Sequence, residues 1–217
     1  MPEDARSHRR LQMLKAARIC FLDRGFLRTT ISDVLALSGG SRATVYEEFG
    51  DKEGLFAALV TSIIENMSLP AVADGPPAEV LRELGRSYLK QLLDPEALAL
   101  YRVVLGESAH MRQLGPAIFR AGPQAAIDAL AGRFAAWAAR GALGPGDPRR
   151  ASTLFLAMVE GDLHRAAILW HRSPSAEEIA DTVDAAVDLF LRGAAPAGPG
   201  DVPLPLAGGA RGGSVGV

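Results

Sequence analysis

Between Thr30 and Gly50 the chain sets two short segments with helical periodicity, ISDVLALS and RATVYEEF, on either side of Gly39-Gly40-Ser41. No other stretch restricts the fold so tightly. Thr30-Ile31-Ser32-Asp33 has the spacing of a capping box, in which Thr30 accepts from the amide three residues on and Asp33 sits near the positive helix end. The segment that follows turns Ile31, Val34 and Leu35 inward. Gly39 can take the left-handed conformation that stops a helix, and Gly40 extends the bend. Ser41 caps the second segment, whose Val45 and Phe49 face a core while Arg42, Thr44 and Tyr46 point outward. Gly50 ends it, and Asp51 caps the next helix. A helix, a tight glycine turn and a second helix make the helix-turn-helix plan, whose second helix enters the major groove of DNA. Similar turns also join short helices in folds that bind no nucleic acid.

The rest of the chain is helical by the same criteria. Gly25, Pro70, Pro76-Pro77, Pro95, Gly122-Pro123, the Gly144 to Pro148 cluster and Pro174 punctuate apolar-periodic segments. No alternating run rich in β-branched residues lies between them, so the fold is expected to be all-α. A helix over about 7–24 carries Leu11, Leu14, Ala17 and Phe21 on one face, and the segments 31–38 and 42–49 follow. Longer helices are expected over about 52–67, 78–93, 96–111, 123–140, 149–171 and 176–192. Short helices beside long ones suggest a helix-turn-helix head over 1–52 and a larger helical body over 53–193. The last stretch, 194–217, holds 7 of the 23 glycines and 4 of the 14 prolines without periodicity, and reads as a disordered tail.

The net charge of -2 looks unsuited to nucleic acid, but it is a sum of unlike parts. Through Tyr46 there are eight basic and four acidic residues, a net +4, and the remaining 15 basic and 21 acidic residues give -6. Only the head is basic. The one cysteine, Cys20, excludes an internal disulfide and a cysteine-built zinc site, which fits a reducing cytoplasm. Apolar runs fall far short of the ~20 residues of a membrane span. No GxSxG, P-loop, HExxH or dinucleotide fingerprint occurs, so neither an enzyme nor a cofactor is expected.

The stretch TTISDVLALSGGSRATVYEEFGDKEGLF, preceded by DRGF, resembles the TetR family of bacterial transcriptional regulators. The likeness covers about Leu11 to Phe56 without a gap and includes Gly25-Phe26, Thr30-Ile31, Gly39, Ser41, Ala43 to Tyr46, Phe49 and Lys52-Glu53. It implies a homodimer on an inverted-repeat operator in double-stranded DNA and a body that binds a small effector. Carried over, Thr30, Tyr46 and Lys52 would hold phosphates. Ser41, Arg42 and Thr44 would reach base edges and flanking phosphates, with Arg42 suited to guanine and Thr44 to the thymine methyl. Thr30 and Ser41 are needed as caps in any case, and Tyr46 could simply cover the small core. Two departures stand out. Gly40 replaces the family's usual valine, removing an apolar peg, and Glu47 and Glu48 stand where aromatic, histidine or basic residues are common. Acids facing phosphate repel it, though a glutamate reaching cytosine N4 would add specificity, and either way modest affinity with strong salt dependence is expected.

In the body, Ile179, Val183, Val187 and Phe190 form an apolar stripe, and Leu154, Met158 and Gly161 offer small and flexible contacts on the preceding helix. With a symmetry mate, two such helices make a four-helix bundle; alone, they would be intramolecular core. Tyr101, Leu105, His110, Phe119, Phe134, Trp137 and Met158 are of the types that line apolar pockets and equally of the types that fill cores. Glu160 and His164 have the i, i+4 spacing of helix-borne metal ligands, with His171 two turns beyond, but no partner elsewhere is evident; polar lining explains them equally well. The leading expectation is a ligand-responsive repressor. The alternative is a helical small-molecule- or partner-binding protein whose DNA head is weakened by Glu47, Glu48 and Gly40.

Overall fold

The computed structural model describes residues 3–65, 69–70, 73–107, 116 and 119–194; His110 and the expected tail beyond Ala194 lie outside them. The described residues are helical, without a strand. The elements are α1 (Glu3–Arg24), α2 (Ile31–Ser38), α3 (Arg42–Phe49), α4 (Lys52–Glu65), α5 (Pro77–Leu92) and α6 (Pro95–Glu107). A π-helical turn over Arg120–Gln124 leads into α7 (Ala125–Ala139), followed by α8 (Pro148–Trp170) and α9 (Ala176–Ala194). The segment expected as one helix from Pro123 therefore opens with a wider turn containing Pro123, whose missing amide hydrogen cannot join an α-helical ladder. The helix expected from 149 is kinked at Gly161, which has φ 47°.

Two hydrophobic clusters account for the packing. In the head, Met13, Ala17, Phe21, Phe26, Val34, Val45, Leu55, Phe56, Leu59 and Val60 are buried together. Phe21, Phe26 and Phe56 form its centre, with ring centroids 5.0 to 5.7 Å apart. Burying three aromatic rings supplies much of what a small domain needs to hold together. Leu11, expected on the inner face of α1, is 48% exposed, and the helix begins earlier than expected, at Glu3. Leu14, Ala17 and Phe21 are buried as expected, and Met13, Ala16 and Cys20 widen the inner stripe around Ala17. Burial pushes the Cys20 thiol up, so it behaves as a small apolar group.

The body cluster joins Val80, Leu81, Leu84 and Leu89 of α5 to Phe134 and Trp137 of α7, Phe155 and Val159 of α8, and Ile179, Val183 and Val187 of α9. Gly85 allows this approach, since a Cβ there would lie 2.9 Å from Val183 Cγ1 and 3.4 Å from Val159 Cγ2. Outside the core, Arg82 and Arg86 of α5 pair with Asp184 and Asp188 of α9 at 2.6 to 3.2 Å. Exposed pairs of this kind set register more than they add stability. The expected domain boundary at residue 52 falls at the start of α4, whose Leu55, Phe56, Leu59 and Val60 belong to the head core.

The turn between α2 and α3 keeps an apolar contact where the sequence shows a missing peg. Gly39 and Gly40 both have positive φ, 69° and 94°. Met13 Cε comes within 3.2 Å of where a Cβ on Gly40 would stand, so the α1 methionine fills the space of the missing apolar peg. Replacing Gly40 with valine restores the residue common in the family but forces a β-branched side chain to positive φ, at a cost of about 1–3 kcal/mol. Urea denaturation is expected to show Gly40→Val less stable than the parent chain; equal midpoints would disprove a requirement for glycine here.

Candidate nucleic-acid interface and adjoining cavity

The caps expected from the sequence are formed. Thr30 N donates to Asp33 Oδ2 at 2.8 Å, and Asp33 N donates to Thr30 Oγ1 at 3.2 Å. The Thr30 hydroxyl also donates to Asp33 Oδ2 at 2.6 Å, and this bond, then the one from the Thr30 amide, holds the Asp33 carboxyl below its usual range. Ser41 Oγ accepts from Thr44 N at 3.2 Å and lies 3.0 Å from the Thr44 hydroxyl. Both caps fix where α2 and α3 begin, and hence which side chains α3 presents.

On α3, Arg42 and Tyr46 are exposed and Thr44 is half-buried. Arg42 Nη2 donates to Ser32 Oγ at 2.7 Å, so the guanidinium leans across the turn from an exposed position. Lys52 is placed otherwise. Its Nζ donates to the carbonyls of Phe26 and Thr29 at 3.0 and 3.1 Å and lies 4.2 Å from the Phe26 ring centroid. Two of three ammonium donors thus tie the start of α4 to the loop after α1, leaving little for a phosphate. Sequence reasoning missed Thr29, which is fully buried with its hydroxyl 3.0 Å from Cys20 O and 2.8 Å from Gly25 O. A threonine beside a capping threonine carries no local signal of burial.

The two glutamates separate. Glu48 pairs with Arg6 of α1, and its side chain is 14% exposed beneath an Arg6 that is 64% exposed. Arg10 lies over the Phe49 ring, 4.8 Å from its centroid. The basic first turns of α1 therefore flank α3 and offset one of its acids. Glu47 is exposed and makes no ion pair with a described residue. Glu47→Gln is accordingly expected to tighten DNA binding about threefold at low salt, an effect that fades at high salt. Fluorescence anisotropy at two ionic strengths checks this; an unchanged dissociation constant at low salt would place Glu47 away from the duplex.

Where head meets body lies a cavity of about 130 Å³. Val60 and Ile64 of α4, Tyr88, Gln91 and Leu92 of α5, and Ala97, Leu100, Tyr101 and Val104 of α6 line it, closed by Gly122, Pro123, Ala126 and His164. A Cβ on Gly122 would stand 3.3 Å from Ile64 Cγ2, so the π-helical turn presses on α4. Glu160 accepts from the Tyr88 hydroxyl at 2.7 Å, and the Tyr101 and His164 rings lie 5.3 Å apart. Burial, and secondarily Glu160, pushes the Tyr88 phenol up, while burial holds His164 below its usual value against the pull of Glu160. His164 is thereby neutral near pH 7. His171 is exposed at the end of α8, and no cluster of metal-ligating side chains occurs among the described residues.

Of the residues expected to line a pocket, Tyr101 lines this one. Phe134 and Trp137 are buried in the body cluster, where Phe134 packs against Trp137, Phe155 and Phe190. Met158 lies half-buried against the same cluster, and Leu105 and Phe119 are 49% and 52% exposed. Of the residues expected at a dimer interface, Ile179, Val183 and Val187 are core of a single chain, and Phe190 packs on Phe134 and Phe155. The first three therefore have little surface left for a partner, while Phe190 is half-buried. Leu154 is 54% exposed.

Comparison with known proteins matches two family models to these two parts. Residues 13–59 match bacterial regulatory proteins of the tetR family, and residues 79–193 match the C-terminal domain of AefR-like transcriptional repressors. The chain belongs to the TetR family. This TetR-family chain is 27% identical over 167 residues to an HTH-type transcriptional regulator of Mycobacterium tuberculosis, covering 73% of this chain and 82% of that one. It is 31% identical over 109 residues to the HTH-type transcriptional repressor AcnR of Corynebacterium glutamicum, half of this chain and 54% of that one. Among solved structures, the flavonoid-responsive regulator FrrA superposes with a TM-score of 0.77 at 29% identity, covering 88% of this chain and 98% of that one. A TetR-family regulator from Mesorhizobium loti gives 0.75 at 28%, covering 86% and 96%. The TetR-family chain is thus a DNA-binding transcriptional regulator and not an enzyme. Among its described residues no helix is long and apolar enough to cross a membrane.

Proposed function

We propose that the chain is a ligand-responsive repressor, a homodimer that binds an inverted-repeat operator and leaves it when a small apolar molecule occupies the cavity. The observation that carries this reading is the double use of α4, whose Leu55 and Phe56 sit in the head core while Val60 and Ile64 form a cavity wall. A ligand pressing on Ile64 acts on the same rigid helix that orients α3. If the ligand favours a head position unsuited to the operator, release follows from its differential affinity for the two states, and a coupling of about 1–3 kcal/mol suffices.

In this reading Arg42 contacts guanine, Thr44 offers its methyl to thymine, and Ser41, Thr30 and Tyr46 hold phosphate. The dimer buries Leu154 and Leu189, 54% and 63% exposed in the single chain, with the exposed Ala157 and Ala185 allowing close helix approach. Mobility shift on the promoter region adjoining the chain's own gene, with and without candidate effectors, tests the proposal. Ala126→Leu, which fills much of the cavity, is expected to bind that duplex normally and to stop responding to the effector. Leu154→Glu with Leu189→Glu is expected to sediment as a monomer and lose high-affinity binding. A ligand response surviving Ala126→Leu would relocate the effector site.

A further inference from the structure

His164 is 8% exposed, faces the cavity, and makes no hydrogen bond to another described residue. A neutral imidazole has one N–H to give and one lone pair to accept with, so a ligand group that meets them gains over one that does not. Beside it, the Tyr88 hydroxyl spends its hydrogen on Glu160, so its oxygen can only accept a further bond. The remaining lining is apolar apart from Gln91 and Tyr101, with no lysine, arginine, aspartate or glutamate. An anion would therefore find no counter-charge and would face the nearby Glu160 carboxylate. The volume, about 130 Å³, is of the order of the apolar cavities that hold a single benzene ring.

We infer that the cavity takes an uncharged, single-ring compound bearing a hydroxyl group, a phenol in the simplest case, with that hydroxyl on His164 and the ring against Tyr101, Leu100 and Ile64. A hydroxyl both donates and accepts, which complements both nitrogens' roles in turn, whereas a bare hydrocarbon leaves His164 unsatisfied. The inference rests on the effector reading above and narrows its chemistry. The partner of the ring is apolar wall, so substituents that add charge or a second fused ring require the walls to part.

Titration calorimetry on the full chain with 4-methylphenol, toluene, benzoate and benzylamine tests it, alongside release of the operator duplex. The phenol is expected to bind about tenfold more tightly than toluene, the worth of one well-made hydrogen bond, and the two ions more weakly than either. His164→Phe is expected to bring phenol and toluene within a factor of about two, and His164→Gln, which keeps a donor and an acceptor, to restore the difference. Equal affinities in the parent chain, tighter binding of either ion, or discrimination unaltered in His164→Phe would overturn the assignment. If no ring compound binds while some other compound releases the operator, the chemical class is wrong and the effector reading stands. If the chain binds the operator and nothing across a broad compound set releases it, the effector reading falls with it.

Discussion

Alanine at Arg42 is expected to reduce operator affinity by about one to four orders of magnitude while leaving stability within about 0.5 kcal/mol of the parent. In the free protein the Arg42 side chain is exposed and its guanidinium donates to the Ser32 hydroxyl, so truncation uncovers no core. A bidentate bond to guanine is worth about 1–3 kcal/mol of discrimination, and a two-fold dimer forfeits it twice. The effect is therefore expected in sequence discrimination first: affinity for a scrambled duplex falls far less, and the salt slope changes little. Lys52→Ala provides the contrast. Its ammonium ties the carbonyls of Phe26 and Thr29 to α4, so its removal is expected to lower head stability and weaken all duplexes alike. Anisotropy titrations on operator and scrambled duplexes separate the two; an Arg42→Ala chain with intact discrimination would remove Arg42 from base readout.

The head was legible in the sequence because its signals are local. Thr30, Asp33 and Ser41 accept from amides three residues away, and Gly39 and Gly50 donate to carbonyls four residues back, so spacing alone locates α2 and α3. What escaped was tertiary even there: Met13 compensating for Gly40, Arg6 offsetting Glu48, and Lys52 turned to backbone carbonyls. In the body, periodicity says that a stripe is buried but not against which neighbour. The stripe Ile179, Val183, Val187 is covered by α5 and α8 of the same chain, while Leu189 of α9 is exposed, which is why the proposed dimer uses Leu189 and not the stripe. Aromatic content likewise cannot tell core from cavity. Phe134 and Trp137 went to the core, while the cavity drew on Tyr88, Ile64 and Pro123, which become neighbours only when α4, α5 and the π-helical turn converge. His164 was visible as a polar residue on a helix, but its meaning depends on the Tyr101 ring beside it and on the apolar wall it faces, both supplied by other helices.

Truncating Phe56 to alanine is expected to have the largest effect on stability, because its ring touches both other rings of the head centre, 5.0 Å from Phe21 and 5.4 Å from Phe26. A fully buried phenylalanine replaced by alanine costs about 3–5 kcal/mol, from forfeited transfer energy and an unfilled cavity. A head of this size has little more than that in reserve. The body has its own cluster around Phe134, Phe155 and Val183, to which Phe56 does not belong. The destabilisation should therefore fall on one part of the chain: calorimetry is expected to resolve an early head transition ahead of a body transition near the parent temperature, with operator binding abolished. Phe155→Ala is the mirror case, weakening the body cluster and sparing the Phe21–Phe26–Phe56 centre. A single cooperative transition shifted as a whole in both variants would mean that head and body fold as one unit through α4, and that same rigidity would strengthen the link by which a ligand against Ile64 reaches α3.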